Sequence, residues 1–180
     1  MLRPPIRRKG DAFVVRLGDD ENELLSRLLA ELRALLTTDD PAAVALTGRL
    51  FPAAFPDDPE REAEYQRLMR DELVASRLAS IDTVEALLGD ELSSGDGRLD
   101  EDQLTALMRS INSLRLVLGT MLGIRGDDPD EGHEGHEGDP GDAGDDPDAV
   151  DPRLVGSPEH HLYGYLSWLL EHAVRALSGR

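Results

Sequence analysis

Residues 104–122 carry an apolar side chain at intervals of three or four, and this repeat constrains the fold more than any other stretch. The repeating residues are Leu104, Leu107, Met108, Ile111, Leu114, Leu118, Met121 and Leu122. Their spacing predicts a helix that is apolar on one face for about five turns. Because such a face is stable only when it is covered, we expect the other elements to pack around this central helix.

The composition favours a helical core. Aromatic residues make up 4% of the chain, with Trp168 the only tryptophan, so the core must be built mainly from Leu, Val, Ile, Met and Ala. This mixture suits helices packed on helices better than a sheet. At 180 residues the chain is long enough for one domain with a real core. The sequence therefore predicts a mostly α, orthogonal or bundle-like helical domain spanning residues 1–180.

The N-terminal region predicts one small β-hairpin. Two β-prone runs, at residues 6–8 and 12–17, flank a turn that contains Gly10. Two strands alone are marginal in water, so Phe13 and Val15 should face a helix. Arg7 and Arg8 belong to a basic group in this hairpin that could touch an acidic partner, although basic residues more often solvate an edge strand.

Four further helices are predicted from apolar periodicity and capping residues. They cover about residues 21–37 with Asp19 or Asp20 as N-cap, 41–50, 60–88 and 158–177. Asp57 and Asp58 suit the start of the third of these better than they suit a metal site. The stretch Asp96–Asp100 resembles part of a calcium loop, but carboxylates are missing at Leu92 and Gln103, so it is interpreted as a turn in which Asp100 caps the central helix.

Residues 126–157 differ from the rest of the chain. These 32 residues include 12 acidic side chains, 7 glycines and 4 prolines against one arginine, and so carry −11 of the net charge of −18. Such a segment buries too little apolar surface to offset its ordering entropy, and we interpret it as a disordered insertion within the domain. His133 and His136 lack the spacing of a metalloprotease helix and a scaffold to hold zinc.

Shortening residues 126–157 to a brief Gly/Ser linker is expected to change thermal stability little. Closure entropy varies only logarithmically with loop length, and removing like charges relieves self-repulsion. Thermal melts of the shortened and full-length chains test this directly. A much lower melting temperature for the shortened chain would show that the segment is structural.

The net charge of the chain and the residue types it contains argue against several classes of function. A net charge of −18 opposes attachment to DNA or anionic lipid, so DNA should be bound only weakly or through a partner. The absence of cysteine excludes thiol chemistry in this chain. No secretory signal and no apolar segment of membrane-spanning length is present, which predicts a cytoplasmic protein that does not enter the membrane. The histidines at 160, 161 and 172 form no catalytic pattern, so neither an enzyme nor a cofactor site is predicted.

Three stretches resemble a family from high-GC Gram-positive bacteria, domain of unknown function 2017. They are Arg49–Asp58, Asn112–Gly119 and Leu162–Leu170. The resemblance implies an AosR-like oxidative-stress transcription regulator that acts with an alternative sigma factor, and family genes often neighbour the ClpS protease adaptor. Phe55 stands where the family usually has tyrosine, and without cysteine a regulator of this kind would need another input than a thiol.

Taken together, these observations favour a non-enzymatic regulatory or interaction protein that contacts a sigma factor or RNA polymerase. The alternative is an adaptor linked to Clp proteolysis. The sequence leaves open whether the chain forms a homodimer. Candidate interaction residues are Asn112 and Arg115, which are polar residues beside the apolar face of the central helix, Tyr163 on the last helix, and Arg7 and Arg8 in the hairpin.

Overall fold

The computed structural model describes residues 4–93, 96–124 and 156–179. In chain order the elements are β1 (Ile6–Lys9), β2 (Ala12–Arg16), α1 (Asp19–Leu36), α2 (Pro41–Thr47) with a 3₁₀ turn at Gly48–Leu50, α3 (Pro59–Gly89), β3 (Asp96–Leu99), α4 (Glu101–Met121) and α5 (Pro158–Ser178). The prediction of a mostly helical fold with an N-terminal hairpin is confirmed. The predicted acidic insertion lies outside the described residues, apart from Gly156 and Ser157 at its end.

The sheet has a third strand that the sequence analysis interpreted as a turn. The strand order is β1-β2-β3, and both pairings are antiparallel, with Phe13 opposite Leu99 and Val15 opposite Gly97. The turn interpretation was wrong because β3 has little intrinsic strand preference and forms by pairing with β2. Leu99 is buried in the core there, and Arg16 pairs with Asp96 at 2.6 Å.

The central helix, α4, contacts the other four helices and the sheet. Leu104, Leu107, Ile111, Leu114 and Leu118 are buried along it, as its periodicity predicts. The predicted cap is also confirmed, since the Asp100 carboxylate accepts the backbone N–H of Gln103 at 2.8 Å, and Gly123 follows the helix with a positive φ of 66°. The prediction fails at Met121 in the last turn, which is 60% exposed, although the adjacent Leu122 packs partly buried against the core.

Helices α1 and α3 begin at different kinds of cap. The Glu21 carboxylate accepts the backbone N–H of Gly18 at 2.7 Å, so Gly18 is the N-cap of α1 and the prediction of Asp19 or Asp20 was wrong. These two acids lie in the first turn, where they suit the helix dipole. At α3 the predicted capping is confirmed, because the Asp58 side chain accepts the N–H of Arg61.

Helix α3 packs beside α4, as predicted, and all of its fully buried side chains lie in its second part. Its buried residues are Ser80, Ile81, Val84, Leu87 and Leu88. Leu68, which the periodicity placed on the covered face, is 60% exposed. The preceding part of α3 packs against the core through the partly buried Leu73, Val74 and Leu78 and leaves Leu68 open to solvent.

Candidate functional site

Asn112, Arg115 and Tyr163 lie together where α4 contacts α5. The Arg115 guanidinium donates from Nη2 to Asn112 Oδ1 at 3.0 Å and from Nη1 to Tyr163 Oη at 3.4 Å. Its central carbon lies 5.9 Å from the centre of the Tyr163 ring. All three side chains are half-buried. Three of the residues singled out from the sequence thus form one polar cluster between two helices.

Gly119 allows a close approach of side chains beside this cluster. A Cβ atom on Gly119 would lie 3.2 Å from Tyr163 Cε2 and 3.3 Å from Nη1 of Arg49. That same nitrogen of Arg49 donates to the backbone oxygen of Ile124 at 2.8 Å. Arg115 therefore fastens α4 to α5, and Arg49 holds the 3₁₀ turn against the residues that follow α4.

Arg7 and Arg8 lie elsewhere, at a cleft between β1 and α5 with a volume of about 410 Å³. His172 and Arg175 line its other side. Arg8 donates from Nε to the Gly10 carbonyl at 3.2 Å, and its guanidinium carbon lies 5.8 Å from the centre of the Phe13 ring. The candidate residues of the sequence therefore divide between two separate surfaces.

A cleft between α3 and α4 was missed by the sequence analysis. It has a volume of about 230 Å³. We call it the serine–arginine cleft, and its lining residues are Leu73, Ser76, Arg77, Ser80, Ile81, Arg109, Ser110 and Ser113. The available sequence signal was two pairs of serines, Ser76 and Ser80 on one predicted helix and Ser110 and Ser113 on the next. Residues three or four apart lie on one helix face, so each pair shares a face.

Arg77 is the residue that ties this cleft to the rest of the fold. Its guanidinium donates from Nη1 to Ser113 Oγ at 2.9 Å and from Nη2 to the Leu50 carbonyl. The same group lies 5.3 Å from the centre of the buried Phe51 ring. Burial lowers the pKa of Arg77 from its ordinary value, and the nearby charge of Arg109 lowers it further.

A second depression lies between the end of α1, α2 and α3, and we call it the α2–α3 groove. Its volume is about 400 Å³. Its lining residues are Leu36, Thr37, Thr38, Asp39, Val44, Arg70, Asp71, Val74, Ala75 and Leu78. Leu68 lies seven residues before Ala75, so it continues this face of α3 by two turns. The apolar floor of the groove is thereby joined to an exposed leucine.

Within residues 4–93, 96–124 and 156–179, no group of three or more His, Cys, Asp or Glu side chains is arranged to hold a metal ion. The described helices also include none that is long and apolar enough to cross a membrane. His133 and His136 lie outside the described residues.

The structure defines a mostly helical protein organised around one central helix, with a small antiparallel sheet against it. The sequence model of the family described as Domain of unknown function (DUF2017) matches residues 3–177, so the chain belongs to this family. No curated protein and no solved structure matches the chain.

Proposed function

We propose that this protein is a non-enzymatic regulator that acts through protein contacts, and that the α2–α3 groove receives a helix of its partner. The resemblance of this chain to the family implies an AosR-like transcription regulator of the stress response. On that basis the partner is a sigma factor or RNA polymerase, and any DNA is contacted through it.

The exposure of Leu68 is the observation that carries this proposal. Its side chain is 60% exposed on a helix face that continues into the groove, and Val44 on the facing helix α2 is 39% exposed. Leaving these side chains in water forfeits the free energy that burial would supply. An apolar surface joined to a concave groove is the kind of feature that marks protein contacts.

The shape and chemistry of the groove fit an amphipathic helix. Val74 and Leu78 supply an apolar floor, while Arg70 brings one positive charge to the groove and Asp39 and Asp71 bring two negative charges. A partner helix would place apolar residues at three- and four-residue intervals on the floor and along Leu68. Its polar face would remain in water and pair with the charges of the groove.

Replacing Leu68 with aspartate is expected to weaken partner capture by about tenfold or more, because a charge would be placed against the apolar face of the partner helix. The measurement is quantitative capture of RNA polymerase and sigma factors from native cells by the tagged full chain. Val174→Asp is the matched control, since Val174 is 45% exposed on α5, away from the groove. The control should capture as much partner as the wild type.

Four other results would each contradict a stated part of the proposal. Recovery of Clp components without polymerase or sigma factor would favour the adaptor function. A dimer that Leu68→Asp dissociates would make a second copy of the chain the occupant of the groove. A stoichiometric substrate-like ligand that is turned over would favour an enzyme. Nanomolar DNA binding by the isolated protein at physiological salt would overturn the expectation that DNA is reached through a partner.

A further inference from the structure

The serine–arginine cleft contains a buried hydroxyl group without a partner. Ser110 is 2% exposed, and its Oγ forms no hydrogen bond within the described part of the chain. A buried polar atom normally finds a partner, because leaving it unpaired forfeits its hydrogen bonds to water. Since Ser110 lines the cleft, a molecule bound there could supply the missing partner.

The charges around Ser110 favour an anion. Arg77 and Arg109 both line the cleft, and no carboxylate is among its lining residues. Arg109 is exposed and forms no ion pair with residues in the described ranges. Two guanidinium groups that share a cleft repel each other, and a bound anion would remove that repulsion.

The remaining hydrogen-bond donors fit an oxyanion that has several acceptor atoms. The Ser113 and Ser80 hydroxyls donate to the carbonyls of Arg109 and Ser76, at 2.8 Å and 3.2 Å. The hydroxyls of Ser76 and Ser110 and the guanidinium of Arg109 are thus the groups left to bind a ligand. Forked guanidinium donors and hydroxyls together match the oxygens of a phosphate group.

The size of the cleft sets an upper limit on the ligand. A volume of about 230 Å³ is smaller than the typical site of a drug-sized molecule. We propose that the serine–arginine cleft binds a small phosphate-type oxyanion, either free or as the phosphate group of a small ester, held by Ser110, Ser76 and Arg109, with the guanidinium of Arg77 adding positive charge beside it. This site is independent of the α2–α3 groove, which lies on a different face of α3.

Inorganic phosphate is the first probe, titrated into the full chain by calorimetry at constant ionic strength set with chloride. The expected result is saturable binding despite the net charge of −18, which repels anions elsewhere on the protein. Methyl phosphate, tested in the same way, distinguishes a free ion from an ester, and saturable binding of either supports the proposal. Binding of acetate without binding of either phosphate would overturn it.

Two variants test the residues assigned to the site. Arg109→Gln should weaken phosphate binding by about tenfold, the value of one charge-assisted hydrogen bond. Arg27→Gln is the matched control, because Arg27 is exposed on α1 and the substitution changes the net charge equally. Equal weakening in both variants would show that only overall charge matters and would overturn the assignment.

Ser110→Ala separates a ligand-binding role from a structural one. Removing a hydroxyl that has no partner should leave the melting temperature without phosphate unchanged or higher. The same variant should lose several-fold in phosphate affinity, because the hydroxyl donates to the anion. Unchanged phosphate affinity in both Ser110→Ala and Arg109→Gln would overturn the site even if phosphate binds the protein elsewhere.

Discussion

Replacing Leu104 with alanine is expected to lower the free energy of unfolding by about 2–5 kcal/mol. The Leu104 side chain is completely buried in the first turns of α4, the helix that contacts every other described helix. The substitution removes apolar atoms from the core and leaves a cavity that the surrounding helices fill only in part. Urea denaturation followed by circular dichroism measures the change. A loss of this size is a large share of the stability of a typical domain, about 5–15 kcal/mol.

Leu68→Ala is the matched control for this prediction. It removes the same atoms from a leucine on a helix, but the Leu68 side chain is 60% exposed. The expected change in unfolding free energy is within about 0.5 kcal/mol. Equal losses for the two substitutions would contradict the placement of α4 at the centre and of the early part of α3 at the surface.

Replacing Gly97 with alanine is expected to destabilise the protein by about 1–3 kcal/mol through overpacking. An added Cβ would lie 2.4 Å from Leu92 Cδ2 and 3.0 Å from the backbone oxygen of Glu91. Leu92 is itself buried, so its side chain has little room to withdraw, and the backbone oxygen cannot yield without moving the chain before β3. Thermal and urea denaturation should both show the loss.

Gly89→Ala provides the comparison for Gly97→Ala. Gly89 is the last residue of α3, and a Cβ there would meet no atom within 4 Å. Alanine restricts the unfolded chain and favours the helix, so this substitution should be neutral or stabilising by up to about 1 kcal/mol. If Gly97→Ala were equally well tolerated, the close packing of β3 against the residues before it would be wrong.

The sequence pointed to the three residues of the polar cluster between α4 and α5 but could not show that they come together. Asn112 and Arg115 stand out because they are polar residues beside an apolar helix face. Their contact with each other follows from their spacing of three, since such residues are neighbours on a helix surface. The contact of Arg115 with Tyr163 joins residues 48 positions apart, and only the packing of α5 on α4 brings them together.

The serine–arginine cleft also depends on the packing of two helices, which the sequence does not show. Serines on a helix surface are common, so their spacing is a weak signal unless the surface is known to be covered. Ser110 and Ser113 each precede a residue of the apolar face, Ile111 and Leu114, and they become notable only because α3 covers them. Their burial is therefore a property of the packed helices and not of either helix alone.

What the sequence determined by itself is the set of helices and most of their limits. Apolar periodicity depends on residues three or four apart, and the caps at Asp58 and Asp100 act within one turn, so both are local. Tertiary structure decided the rest. Strand β3 exists because β2 lies beside it, and Leu68 and Met121 are exposed although the periodicity places both on apolar helix faces. Strand pairing and burial depend on neighbours that are distant in sequence, and local patterns do not encode where those neighbours lie.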